Sequence, residues 1–321
     1  MDEFQDLPEN YEAETEDFVA LYAVAWLLII RALMKLVQLP PNPTPVQLLQ
    51  LEQTVLAEVR VIIADLSNKV VEMATEKVTE AYKEGVKYSR ESLTGDKQPD
   101  DIDEIELNKD HVSRLDKMIT QTQEDLLKAT GNTEENIKRL VRQVVSREIS
   151  GTGLSGQAGK VSNMSKRIEE QLRKQFIENG IKNADIAIID KAKRKWKLKT
   201  YSEMVARTKM NMAYIEAVRE EALQDGSDLA IISTKPDTKD ACLNYEGMVI
   251  SLNGKSEGYL TYDQIRSTKL CFHPNCGHFV RPVGGIDWVP RKQIEKHEKQ
   301  MKKYNQAKDT LKQQTNRDSV S

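Results

Sequence analysis

Cysteine is scarce and odd in number, three in 321 residues, which excludes a disulfide-stapled secreted scaffold. Aromatic residues make up only 6% of the chain, so its cores are lightly packed. Hydrophobic residues still reach 39%, too many for a disordered polymer. Neither sign of charge dominates: 47 basic and 50 acidic side chains leave a net charge of -3. No global field then draws nucleic acid or membrane, and any such contact rests on local charge. Long apolar runs are also missing. The longest, Phe18 to Ile30, is short of the ~20 residues of a spanning helix, and Arg31 and Lys35 interrupt its continuation to Val37. A membrane channel is excluded and no stable membrane span is expected. Residues 1–17 hold eight acids and no base, the reverse of a secretory n-region. The expectation is a reducing, cytoplasmic setting, where clustered cysteines mean metal more often than disulfide.

Catalytic signatures are equally absent. There is no Gly-x-Ser-x-Gly elbow, no His-Glu-x-x-His helix and no dinucleotide fingerprint. The glycine-rich segment 149–163 lacks the Gly-Lys-Ser/Thr ending of a phosphate loop and reads as a flexible boundary. His111 and His297 sit alone in polar helical surroundings and read as solvated. The chain does not read as an enzyme.

What is there is mostly helix, in a length with room for about two domains. Residues 1–45 comprise an acidic head, an apolar helix and the PPNPTP break. Residues 46–180 form a helical region. Leu48, Val55, Val59, Ile62, Ile63, Leu66 and Val70 recur at helical intervals. A second helix from Leu107 breaks at Gly131 and restarts on an Asn132 or Thr133 cap, and another covers Met164 to Asn179. Residues 181–285 form a small α+β module. It opens with a hairpin of two strands, Ala184 to Asp190 and Trp196 to Thr200, continues in a helix from Tyr201 to Gln224, and adds strands at Leu229–Ser233 and Met248–Leu252. Residues 286–321 form a charged helical tail with no convincing apolar stripe. The fold class is α+β, predominantly α-helical.

All three cysteines and two of the four histidines fall between 242 and 278, as Cys242 and then Cys271-Phe-His273-Pro-Asn-Cys276-Gly-His278. Thiolate and imidazole suit tetrahedral zinc, and five candidates compete for four places. His273 and Cys276 fit one turn around Pro274-Asn275, and His278 returns on the face of Cys276 by the two-residue strand period. Asp237, Asp240 and Glu246 could serve a catalytic ion. A module with so little core of its own gains more from a structural one. Lys191, Lys193, Arg194, Lys195, Lys197 and Lys199 gather at the hairpin tip, and Arg291, Lys292, Lys296, Lys299, Lys302 and Lys303 line the tail. Such patches can meet phosphates without reading sequence.

Three segments carry a resemblance: Trp196 to Thr208, with its Arg207-Thr208; Asp240-Ala-Cys242-Leu-Asn-Tyr245-Glu-Gly247; and Phe272-His273-Pro274-Asn275-Cys276-Gly-His278-Phe279. Together they resemble the minor capsid protein 2 group of tailed bacteriophages, related to the Mu F-like head-morphogenesis proteins. The resemblance implies a structural protein of the virion head, met in host cytoplasm during assembly. It also implies association with the portal and major capsid protein, and a role in head morphogenesis, DNA packaging or DNA delivery. Carried over residue by residue, it implies a zinc ligand set of Cys242, His273, Cys276 and His278, with Cys271 outside it, and no catalytic residues. The apolar helix, through Phe18, Leu21, Trp26, Leu28 and Ile29, is expected to dock on the portal or on other copies. The basic hairpin tip is expected to touch packaged DNA non-specifically. The alternative is a zinc-dependent nuclease or hydrolase, or a toxin-linked phage protein, marked by an open metal position beside a carboxylate.

Overall fold

The computed structural model describes residues 12–38, 43–154, 188–189, 195–196, 198–235 and 238–318. The fold is α+β and predominantly helical, in two compact units that are each discontinuous in sequence. One comprises Glu12–Glu76 and Ile119–Ala206. The other includes Lys77–Met118 and Arg207–Ser321. Helices α2 (Pro45–Thr94) and α3 (Lys109–Leu154) lend residues to both.

The first unit is helical. Helix α1 (Glu12–Met34) turns Phe18, Tyr22, Trp26, Ile29 and Leu33 inward, a three- and four-residue spacing that makes one apolar face. Of these, Trp26, Ile29 and Leu33 pack with Leu48, Val55, Val59 and Ile63 of α2 and with Ile137, Val141 and Val144 of α3. Each such side chain contributes about 1.5–3 kcal/mol on burial. Thr44 starts α2 with a reciprocal cap: its hydroxyl accepts from Gln47 N, and Gln47 Oε1 accepts from Thr44 N. Pro45 then takes the first helical position, where no amide hydrogen is needed.

Two sequence expectations change here. Helix α3 runs through Gly131 without a break. Thr133 does not cap a new helix; its hydroxyl donates back to Ala129 O at 3.0 Å. Burial of Leu126, Ala129, Ile137 and Val141 outweighs the roughly 1 kcal/mol that one glycine costs a helix. The apolar stretch of α1 is also longer than the sequence reading, since Thr15–Met34 has the length and composition to cross a membrane. A core helix has the same properties, and the inner face of α1 is committed to its unit.

The second unit is mixed. After the two-residue strands β1 (Ile188–Ile189) and β2 (Lys195–Trp196), which pair antiparallel in the first unit, helix α4 (Leu198–Gln224) starts at a leucine the sequence reading placed in a strand. The strands β3 (Leu229–Ile232), β4 (Val249–Ser251) and β5 (Val280–Val283) form an antiparallel sheet in the order β4-β3-β5. All four residues of central β3 are buried. By strand alternation Ala230 and Ile232 join the core with Tyr214, Val218, Met248 and Phe279, while Leu229 and Ile231 face Val249, Val283 and Val289. Strand β5 carries Pro282, which an edge tolerates. Gly85 of α2 lets α4 approach closely, because a Cβ there would strike Tyr214 O and Ala217 Cβ.

Both isolated histidines turn out to be buried. His111 is wholly enclosed. Its Nε2–H donates to Glu221 at 2.9 Å, and its Nδ1 accepts from Tyr82 OH at 3.0 Å. Arg90 holds the same Glu221 at 2.9 Å. His297 lies on the tail helix α6 (Arg291–Asp318), where its Nδ1 accepts the amide hydrogen of Val249 at 3.1 Å. Gln293 donates to Gly247 O and Gln300 to Glu246 O, each at 2.7 Å. The tail helix docks through both polar and apolar contacts. Its side-chain amides and imidazole satisfy backbone groups at Glu246, Gly247 and Val249, before and at the start of edge strand β4. Ile294 and Met301, three and four residues from His297, pack on the apolar clusters that the sequence reading gave it no stripe to meet.

Candidate metal centre

The cluster is assembled by two short pieces of backbone. Asp240 caps a 3-10 turn (Ala241–Asn244) by accepting from Cys242 N at 3.0 Å, which orients the Cys242 thiol inward. The loop after helix α5 (Tyr262–Ser267) supplies the other residues. It bends through three left-handed positions, Lys269, Phe272 and Asn275, with φ of 59, 55 and 67°. For a bulky residue such as Phe272 that conformation is strained, and its ring is held 4.8 Å from the Tyr262 ring. Cys276 N donates to His273 O at 2.9 Å, closing the Pro274-Asn275 turn and setting Cys271 and Cys276 side by side.

Helix α4 clamps this loop. Arg207 donates to Asn275 Oδ1 at 2.8 Å, and Asn275 N donates to Thr208 Oγ1 at 2.9 Å. One turn on, Asn211 donates to the carbonyls of Cys276 and His278 at 2.9 and 3.0 Å. The Arg-Thr pair and the His-Pro-Asn-Cys element, far apart in sequence, are therefore two halves of one contact. Asn211 lies one turn past Thr208, and that spacing was the only signal that could have found it.

Four buried donors converge: Cys242, Cys271, Cys276 and His278, with all ligand atoms within 4.8 Å of one another. Cys242 Sγ lies 3.7 Å from Cys276 Sγ, and Cys276 Sγ lies 3.4 Å from His278 Nδ1. A tetrahedral ion at zinc bond lengths needs S···S edges of about 3.8 Å and S···N edges of about 3.5 Å, so the donor set fits. His278 Nε2–H donates to Glu246 Oε1 at 2.9 Å, leaving the Nδ1 lone pair aimed at the sulfurs. Glu246 Oε1 also accepts from Thr238 Oγ1 at 2.6 Å and Lys235 N at 3.1 Å. The buried carboxylate that could have served as a general base is occupied in orienting a histidine.

The electrostatics match this packing. Hydrogen bonding from Cys271 pulls the Cys276 thiol down to about 3, against its burial, and His278 adds to the effect. The Cys271 thiol is pushed up by its bond to Cys276 and by burial, and Cys242 by burial and its Cys276 neighbour. Burial works against a charged His278, yet its bonds to Cys276 and Glu246 raise its pKa. One thiolate is stable among three thiols, and a divalent cation is what would let the others ionise.

Of the sequence-proposed ligands, Cys242, Cys276 and His278 come together. The fourth donor of the compact set is Cys271. His273 stands beside it, partly exposed, with Nε2 3.2 Å from Cys242 Sγ and 3.1 Å from Asp240 Oδ2. Of the docking residues, Phe18, Trp26 and Ile29 are buried within the helical unit, Leu21 is half-buried and Leu28 is exposed. The outward apolar face of α1 is instead Val24, Leu27, Leu28 and Met34. Of the basic hairpin, Lys195 lies in β2 opposite Ile189 and Lys199 in the first turn of α4. Lys191, Lys193, Arg194 and Lys197 lie outside the described residues, as do Asp237 and the proposed Met164–Asn179 helix.

No curated protein and no solved structure matches the chain. The family model described as phage minor capsid protein 2 matches residues 7–318, which takes in both units and the whole cluster. Such a family acts among other virion proteins and points to a structural role. From that match, which reaches far beyond the three short motifs, the chain belongs to the phage minor capsid protein 2 family and is a structural protein of the phage head.

Proposed function

We propose that this head protein docks on the portal and the major capsid protein through its helical unit, and serves head morphogenesis and DNA packaging or delivery from the head interior. The observation that carries the reading is the outward face of α1. Val24, Leu27 and Met34 are 56, 66 and 48% exposed, with Leu28 beside them at 41%. Apolar surface gathered on one helix face asks for a partner. Deleting α1 would remove the unit's own core, so the test is Val24→Glu with Leu27→Glu. Portal co-sedimentation should fall at least tenfold with helicity by circular dichroism unchanged. Undiminished co-sedimentation would refute the docking face.

The mixed unit supplies rigidity in this reading. A structural zinc ion held by Cys242, Cys276 and His278, with Cys271 as fourth ligand, would close the 268–279 loop over the sheet. When bound, zinc contributes folding free energy; the chain's residues contribute its shape through the α4 clamp and the Glu246 bond to His278. The basic hairpin tip supports non-specific contact with packaged DNA. Neutralising Lys191, Lys193 and Arg194 should lower DNA affinity and flatten its salt dependence.

A further inference from the structure

The compact donor set leaves one imidazole unexplained. His273 Nδ1 lies 2.9 Å from Pro274 O, a carbonyl that can only accept, so Nδ1 carries the hydrogen. In the neutral ring Nε2 is then a bare lone pair. It faces Asp240 Oδ2 at 3.1 Å, itself an acceptor, and Cys242 Sγ at 3.2 Å. Asp240 is fixed in this pose because its Oδ1 accepts from Cys242 N at 3.0 Å, which turns Oδ2 towards the ring. The ligand atoms of Asp240, His273 and Cys242 lie together. Once the Cys242 thiol gives up its hydrogen, as an ion at the first position requires, all three offer lone pairs to one point, with Asp240 and His273 oriented from behind by backbone groups.

We infer that Asp240, His273 and Cys242 form a second divalent-metal position, joined to the first through a bridging Cys242 thiolate. This rests on the reading of Cys242, Cys271, Cys276 and His278 as the first site. The two positions differ in character. The first is buried and draws four ligands from the chain. The second is at the surface, with Asp240 exposed and His273 half-buried, and its three protein donors leave a coordination place for water. Carboxylate, imidazole and thiolate together suit zinc. The second ion should bind more weakly, since it shares a thiolate already bound to the first and lies open to solvent.

The test is zinc stoichiometry of the full chain, stripped with chelator under reducing conditions, titrated with zinc alone, desalted and read by elemental mass spectrometry. Two equivalents are expected, the second at least tenfold weaker. Asp240→Asn and His273→Ala should each keep the tight equivalent and lose the weak one, with unchanged circular dichroism. One equivalent in the wild type, untouched by either variant, would overturn the second position and leave the first standing. One equivalent that His273→Ala abolishes would also overturn it, by making His273 a ligand of a single ion. No bound zinc would overturn both.

Discussion

In the helical unit the buried side chains repeat every three or four residues along three helices. In the mixed unit the same task falls to a three-stranded sheet, a set of side-chain clamps on backbone carbonyls, and a thiol–imidazole cluster. The first arrangement is distributed: Trp26, Ile29, Val55, Val59, Ile137 and Val141 share the load, and each can be trimmed at a bounded cost. The second is concentrated. Cys276 touches Cys242 and His278, His278 touches Glu246, and the Glu246 backbone carries Gln300 of the tail helix. A region with repeated contacts degrades gradually, whereas one with a few polar junctions fails at a junction.

The widest separation between the two should come from Cys276→Ser. If the cluster binds zinc, the mixed unit should lose more than about 5 kcal/mol, against apparent zinc contributions of about 10–16 kcal/mol in zinc-finger peptides. Limited proteolysis should then cut within 229–283 and spare α1. Next in size is Leu126→Ala in the helical unit, where a wholly buried side chain leaves a cavity costing about 2–5 kcal/mol. Denaturant unfolding should register that loss while metal content stays unchanged, and a fall in metal content would break the comparison. Smaller again is Asn211→Ala, which leaves the Cys276 and His278 carbonyls without their donor at a cost of about 1–3 kcal/mol. Zinc affinity should fall by about 10–100-fold, the usual effect of losing an outer partner, as read by competition with a chromophoric chelator.

The smallest effect concerns the tail helix. Burial lowers the pKa of His297, whose neutral Nδ1 accepts from Val249 N. The unfolded chain therefore binds this proton more readily than the folded one. The contribution is fully present above the ordinary histidine value of 6.5 and is lost as pH falls below it towards the lowered folded value. The melting temperature of the mixed unit should drop as pH falls below about 6.5, and His297→Gln should flatten that slope.

The same contrast explains what could be read beforehand. Helix α2 was legible because its stripe from Leu48 to Val70 is a repeated signal, and the Cys/His cluster because its residue types are rare in this chain. Gly131 misled because one residue's propensity is small beside the burial around it. His111 and His297 misled because their sequence neighbours are polar while the groups that bury them come from other elements. Strand β5 was not among the expected strands; it is four residues long and carries Pro282, which a central strand excludes and an edge tolerates. Cys271 was set aside because the resemblance puts an apolar residue there. Its role depends on Phe272 taking a left-handed turn, which composition does not announce.

The most direct measurement of the central claim is amide hydrogen exchange on the full chain before and after zinc chelation. The account predicts that protection collapses across 229–283 and the first turns of the tail helix, while α1 and residues 45–76 of α2 keep theirs. Uniform loss through both units, or no loss in either, would contradict it.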